Sequence, residues 1–195
     1  VAGSRLLVEE SIHDEFVARV ASIAAGMKVG DPLDLSTEAG AVTSEDQLLK
    51  NLEFVRRAEA EGGTLVAGGS RILAETGGFY MQPTVFSGIG PSMHLAQEEV
   101  FGPVLGVMKF RDEAEAVRLA NSTVFGLASA VWTSNLSRAH RMVRAVRAGV
   151  VHVNTYGGAD MTVPLGGVGQ SGNGHDKSLH ALDKYTDLKT AWISL

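Results

Sequence analysis

The densest run of chemically capable side chains is Gln97-Glu98-Glu99-Val100-Phe101-Gly102-Pro103. Two adjacent carboxylates point in different directions unless the backbone is irregular, and an aromatic ring and a Gly-Pro bend follow directly. A carboxylate can accept hydrogen bonds from two vicinal hydroxyls, as on a ribose. A nearby ring can pack on a flat heterocycle. A solvated turn is the other reading, and the residue types alone leave both open.

Other candidates carry less. Gly167-Val168-Gly169-Gln170-Ser171-Gly172 satisfies G-x-G-x-x-G, but a dinucleotide fingerprint should follow a strand and open a helix. No apolar strand leads straight in, and Gly174 and His175 interrupt any helix, so a flexible glycine loop is expected. Arg138, Arg141, Arg144 and Arg147 fall every third residue, as on a solvated helix face whose cations favour the C-terminal end of the helix dipole. The histidines (13, 94, 140, 152, 175 and 180) lack H-x-x-x-H or H-E-x-x-H spacing, so no metal site is expected. Cysteine is absent, which removes disulfides, thiolate ligands and a thiol nucleophile from these residues.

The elements that must position these groups alternate in type. Residues 5–8 form a short apolar strand. Ser11 stands at an N-cap position, with Ile12, Phe16, Val20, Ile23 and Met27 at helical spacing up to Gly30. Ser44 with Gln47 matches a capping box, and Leu48, Leu52, Val55 and Ala58 follow on one face until Gly62-Gly63. Strands are expected over 64–67, 79–86, 104–110, 128–133 and 150–154, with Pro83 pushing its strand toward a sheet edge. Asp112 with Glu115 caps a helix carrying Val117 and Ala120. Leu136, Ala139, Val143 and Val146 mark another, closed by Gly149. The fold class is α/β: an open, mainly parallel twisted sheet flanked by helices. Seven glycines crowd residues 157–174, a long irregular loop of the kind that is usually functional. A short helix around 177–183 precedes a β-prone tail, 185–195, whose unpaired edge calls for another sheet, as in a second subunit.

Composition narrows the partners. With 195 residues, 45% hydrophobic and 20% charged, the chain can bury a real core and is not disordered. A net charge of −5 disfavours nucleic acid as the main partner. No apolar run approaches the ~20 residues of a membrane span. The sequence opens at Val1 without Met, and the expectation is a piece of a longer protein.

Seven strings in order are together specific: Ala2-Gly3-Ser4-Arg5, Gly30-Asp31-Pro32, Gln82-Pro83-Thr84-Val85, Glu98 to Pro103, Asn121-Ser122-Thr123-Val124-Phe125-Gly126-Leu127, Val153-Asn154 and Pro164-Leu165-Gly166-Gly167. They span the chain and resemble the C-terminal portion of the aldehyde dehydrogenase superfamily. Residues 160–164, 170–182 and 188–195 are similar to the γ-glutamyl-γ-aminobutyraldehyde dehydrogenase branch.

The resemblance implies an NAD(P)+-dependent oxidation of a small-molecule aldehyde, with NAD or NADP as cofactor. A Cys thiolate attacks the aldehyde and a Glu-activated water hydrolyses the resulting thioester. It puts that Cys immediately before Val1, with the base Glu and the nucleotide-binding domain further upstream. Residues 1–182 would then be a catalytic-domain portion and 183–195 an oligomerisation strand. The piece alone is expected to be inactive, to bind NAD+ weakly, and to form a homo-oligomer through 185–195. The resemblance further aligns Glu99 with the acceptor of the nicotinamide-ribose hydroxyls and Phe101 with a contact on the nicotinamide side. Gln47 and Lys50 align with positions lining the cofactor ribose, although Gln47 suits the capping box equally. Val1, Asn154 and Leu165 match positions along the substrate channel, and Asp160 would partner a cationic or amide end of the substrate. Leu165 replaces a Phe common there, which implies a wider channel. His175 replaces an Arg. Asp176 matches an acid of a proton relay or a plain helix N-cap. A cytoplasmic location goes with this reading. A non-catalytic assembly module built around the terminal strand is the alternative from a different class.

Overall fold

A computed structural model describes residues 3–158 and 160–195. The chain divides into two units, 3–122 and 123–195, each described by itself.

In the first unit the order is β1 (Arg5–Glu9), α1 (His13–Gly26), α2 (Glu45–Ala60), β2 (Thr64–Ala67), β3 (Arg71–Ile72), β4 (Tyr80–Met81), β5 (Thr84–Ser87), α3 (His94–Gln97), β6 (Val104–Phe110) and α4 (Glu113–Ala120). The main sheet runs β1-β6-β5-β2. Both β1 and β5 lie parallel to β6, with Leu7 opposite Met108 and Phe86 opposite Gly106. Only β2 is antiparallel, and its register slips between Leu65 and Ala67. This is the open, mainly parallel sheet that the alternation of elements predicts.

Strand alternation divides the core between two helices. Phe86, Val104 and Met108 point to the layer of α2, where Leu48, Phe54, Val55 and Ala58 pack with Leu95 and Val100. Val8, Val85 and Val107 point the other way, against Val17, Val20 and Ala24 of α1. Both faces being covered explains the near-continuous apolar run of β6.

Three local expectations for this unit are corrected. The core stripe of α1 is Val17, Val20 and Ala24, whereas Ile12, Phe16 and Ile23 are exposed. Two apolar stripes of equal period share this helix, and only the sheet selects between them. Ser11 does not cap α1: it sits in a 3-10 turn, Glu10–Ile12, that leads into the helix, which stops at Gly26 rather than near Gly30. Pro83 does not mark an edge, because it precedes β5, which pairs on both sides. Thr84 secures that corner: its hydroxyl donates to Gln82 O (2.8 Å) and accepts from Gly69 N–H (2.9 Å).

The second unit holds β7 (Ala128–Val131), α5 (Leu136–Ala145) and β8 (Val150–Val153), a parallel strand pair joined through a helix. Ala139 and Met142 are the buried side chains of α5, and the buried Val146 follows as its C-cap. Leu136 and Val143, expected on that face, are exposed. The glycine-rich loop folds back on residues 124–127: Val168 N–H donates to Gly126 O (3.0 Å) and Gln170 N–H to Val124 O (2.9 Å). A Cβ on Gly149 would lie 1.7 Å from Gly166 O, so these glycines allow two backbones to touch. No α-helix follows Gly172; instead 3-10 turns cover Gly169–Ser171 and Leu179–Lys184. Among the described residues, 185–195 form no strand, and Trp192 is 93% exposed.

Candidate functional site

The first candidate group is assembled by the N-terminal half of α2. Ser44 caps the helix by accepting from Gln47 N–H (3.2 Å). The reciprocal half of a capping box is not made. The Gln47 side chain instead donates to Val100 O (2.8 Å) and to Asn51 Oδ1 (2.7 Å). Gln47 thereby fastens α2 to the 98–103 segment, 53 residues on.

Val100 is buried in the core, and its two neighbours are exposed. Glu99 and Phe101 therefore both stand at the surface, on either side of an anchored residue. Phe101 is 71% exposed and has φ +55°, the left-handed region that a bulky side chain avoids. An open depression of about 200 Å³ is lined by Lys50, Glu53, Phe54, Arg57, His94, Glu98 and Glu99. Lys50, Phe54 and Arg57 follow one stripe of α2 at i, i+4 and i+7. The Lys50 Nζ stands 5.9 Å from the Phe54 ring centroid, within cation–π range. The Phe54 ring stacks on His94 with centroids 4.7 Å apart and planes 19° from parallel.

One wall is fixed by charge. Glu61 accepts from the His94 backbone N–H (2.7 Å) and pairs with Arg57 (2.9 Å). The Arg57 hydrogen bond, then that of His94, holds the Glu61 carboxyl below the usual glutamate range. Among the described residues nothing engages the Glu99 carboxylate, whose acceptor capacity is open to a ligand. Of the four sequence-derived cofactor positions, Glu99 and Lys50 share the depression, Phe101 is exposed two residues on from Glu99 but does not line it, and Gln47 lies beneath the 98–103 segment.

The second group belongs to the other unit. Asn154 ends β8 at φ +54°, and its amide is occupied: Oδ1 accepts from Thr133 N–H (2.8 Å) and Nδ2 donates to Thr133 O (2.9 Å). Asp160 is exposed and accepts from Thr162 N–H (2.8 Å) and the Thr162 hydroxyl (2.7 Å), which lower its pKa in that order. Leu165 is half-buried and bridges to Asp176, with N–H to O distances of 2.8 and 2.7 Å. Asp176 pairs with Lys184, which lowers its pKa, and it caps no helix; Ser178 does. His175 is exposed. Val1 lies outside the described residues.

Among the described residues no group of His, Asp or Glu could hold a metal ion, and no helix is long and apolar enough to cross a membrane. Sequence reasoning missed three residues. Phe54 and His94 make the floor of the depression; the Lys50-Phe54-Arg57 spacing was the available signal for Phe54, and none pointed to His94. Asn51 is a carboxamide with 0% exposure on the apolar face of α2. A polar residue interrupting the Leu48, Leu52, Val55 stripe was its signal.

The family model described as the aldehyde dehydrogenase family matches residues 1–191. The chain is 49% identical over 195 residues to the NADP/NAD-dependent aldehyde dehydrogenase PuuC of Escherichia coli (strain K12), covering 100% of the chain and 39% of that protein. It is similar to the solved structure of the P. syringae AldA indole-3-acetaldehyde dehydrogenase in complex with NAD+ and IAA. There the TM-score is 0.94 at 54% identity, over 100% of this chain and 39% of that one. The γ-glutamyl-γ-aminobutyraldehyde dehydrogenase of Burkholderia cenocepacia J2315 gives 0.92 at 53% identity, over 96% and 38%. The chain thus spans about two fifths of the length of the relatives it matches.

Proposed function

Given that the chain belongs to the aldehyde dehydrogenase family, we propose that it is the C-terminal part of an NAD(P)+-dependent enzyme that oxidises an aldehyde to its carboxylate. An aldehyde, water and NAD(P)+ become a carboxylate, NAD(P)H and two protons. The observation that carries this reading is the exposed Glu99 carboxylate, unengaged among the described residues, in one depression with Lys50, with the ring of Phe101 exposed two residues on.

In this reading Glu99 accepts hydrogen bonds from the two hydroxyls of the nicotinamide ribose, for which a carboxylate offers two acceptor oxygens and charge-assisted bonds. Phe101 supplies an apolar wall to the nicotinamide. Lys50 lies along the ribose, and Gln47 acts from beneath by holding Val100 O. NAD(P)+ supplies the two-electron acceptor. The attacking thiolate belongs to a Cys preceding Val1, where it adds to the carbonyl carbon, and the general-base Glu lies further upstream. Residues 1–182 are then a catalytic-domain portion, and Asn154, Asp160, Leu165 and Val1 belong to the substrate channel. An ω-amino or γ-glutamylamino aldehyde fits the Asp160 carboxylate as a partner for a cationic or amide end. A cytoplasmic enzyme is the corresponding setting.

The test uses the full-length protein. Aldehyde-dependent NAD(P)H formation is expected, lost when the Cys before Val1 is changed to Ala. Glu99→Gln should raise KM for NAD(P)+ by roughly tenfold, the loss of a charge-assisted hydrogen bond. An absent Cys codon, or no turnover with any aldehyde, overturns the reading.

A second role is favoured by the tail. Leu188, Trp192, Ile193 and Leu195 are all exposed in a segment with no strand partner among the described residues. We propose that residues 183–195 add a strand to a sheet of another copy, making a homo-oligomer. Deleting 185–195 should then reduce the size measured by light scattering; an unchanged size removes this role.

A further inference from the structure

We infer that Asn51 is a positioning residue: its buried carboxamide, with Gln47, clamps Val100 and Gly102 so that Glu99 and Phe101 stand toward the nucleotide. This deepens the reading of Glu99 and Phe101 as cofactor contacts and rests on it. Asn51 occupies a core position of α2 with 0% exposure, where an apolar side chain would pack at no polar cost. Its amide is instead used. Oδ1 accepts from Gln47 Nε2 (2.7 Å), the same nitrogen that donates to Val100 O (2.8 Å), and Nδ2 faces the Met81 sulfur (3.5 Å). With the amide turned over, its nitrogen reaches Val100 O directly at 3.1 Å. The first setting reaches that carbonyl through Gln47 Nε2, the second directly and without the Gln47 Nε2 bond to Oδ1.

The other jaw is Gly102. A Cβ there would meet Asn51 Nδ2 at 2.1 Å, so the Gly102 backbone lies directly on the amide. Val100 is thus hydrogen-bonded from α2 and Gly102 is packed against it, and the residue between them, Phe101, is the one at φ +55°. A left-handed aromatic residue persists only where its surroundings over-determine it. Its own ring, 71% exposed, cannot do that. The clamp on its neighbours can. Glu99, on the other side of Val100, is set by the same anchor.

The test combines a local and a functional readout. In the isotope-labelled chain, the Cα and Cβ shifts of Phe101 report its left-handed backbone. Asn51→Leu, with the same branching but without polar atoms, should move them to averaged values while the resonances of the β1–β6 pair stay in place. Gln47→Leu, on the half-buried first turn of α2, should do the same and carries the test if Asn51→Leu does not fold. In the full-length enzyme, Asn51→Leu should raise KM for NAD(P)+ about tenfold, as for one lost buried hydrogen bond, with KM for the aldehyde within about twofold. In a Glu99→Gln background the added effect should shrink, because both act through one contact. Unchanged Phe101 shifts in both variants overturn the positioning role. Shifts that move while KM for NAD(P)+ does not would support the clamp and overturn the cofactor reading instead.

Discussion

The Asn154 carboxamide pairs with both backbone groups of Thr133, accepting from its N–H at 2.8 Å and donating to its C=O at 2.9 Å. A side chain thereby continues the β7–β8 ladder one step beyond Val131 and Val153. At φ +54° the Asn154 backbone has turned away, and Asn is a residue that tolerates this conformation. Asn154→Ala should cost about 1–2 kcal/mol, two hydrogen bonds discounted for exposure plus a strained backbone. Asn154→Gly should cost less, since only the bonds are lost. Urea unfolding of the three chains would check the order.

Gly102→Ala puts a methyl group into the space of the Asn51 amide. The expected loss is about 1–3 kcal/mol, as for an overpacked core. In an Asn51→Ala background the same change should cost less, because the obstructing atoms are gone. A double-mutant cycle on the unfolding free energies measures this coupling; additive losses would mean the two residues do not compete for that space.

Phe101→Gly separates stability from binding. A left-handed Phe costs about 1–2 kcal/mol, and glycine's extra unfolded-state entropy takes back about 0.5–1 kcal/mol. With an exposed ring, little burial is lost. The variant should therefore unfold at the same or slightly higher urea concentration than the parent chain, while the full-length variant binds NAD(P)+ more weakly. Fluorescence titration with NADH checks the second half.

The Glu61 carboxyl is held below its usual range by Arg57 and then by the His94 N–H. Its folded pKa lies under its unfolded value, so the unfolded state takes up the proton first. The stabilisation is therefore complete above the unfolded value of about 4.3 and is lost as pH falls through the folded one. The melting temperature of the parent chain should exceed that of Glu61→Gln at about pH 6, and the gap should close toward about pH 3. A gap that stays constant would show that the α2–α3 link does not depend on this charge.

Much of this molecule is legible locally. The β6 strand covers the residues its apolar run predicts, 104–110. Ser44 and Asp112 cap the helices they precede, through Gln47 N–H and Glu115 N–H. Gly62, at φ +96°, ends α2. Each of these depends on residues within a few positions, where period, capping and backbone preference act. The ordered motif strings likewise lie in the sequence itself, and the family match follows them along 1–191.

Other features had no local signal. Two apolar stripes on α1 share one period, and the sheet, through Val8, Val85 and Val107, decided that Val17, Val20 and Ala24 would be buried. The Gln47 side chain had an adjacent cap to complete and was drawn instead to a carbonyl 53 residues away. The left-handed Phe101 follows from what lies under its neighbours, not from its own preference. Residue types and spacing determined which groups could do chemistry. Which way those groups face was decided by contacts between segments far apart in the chain, where burial and hydrogen bonding outweigh local propensity.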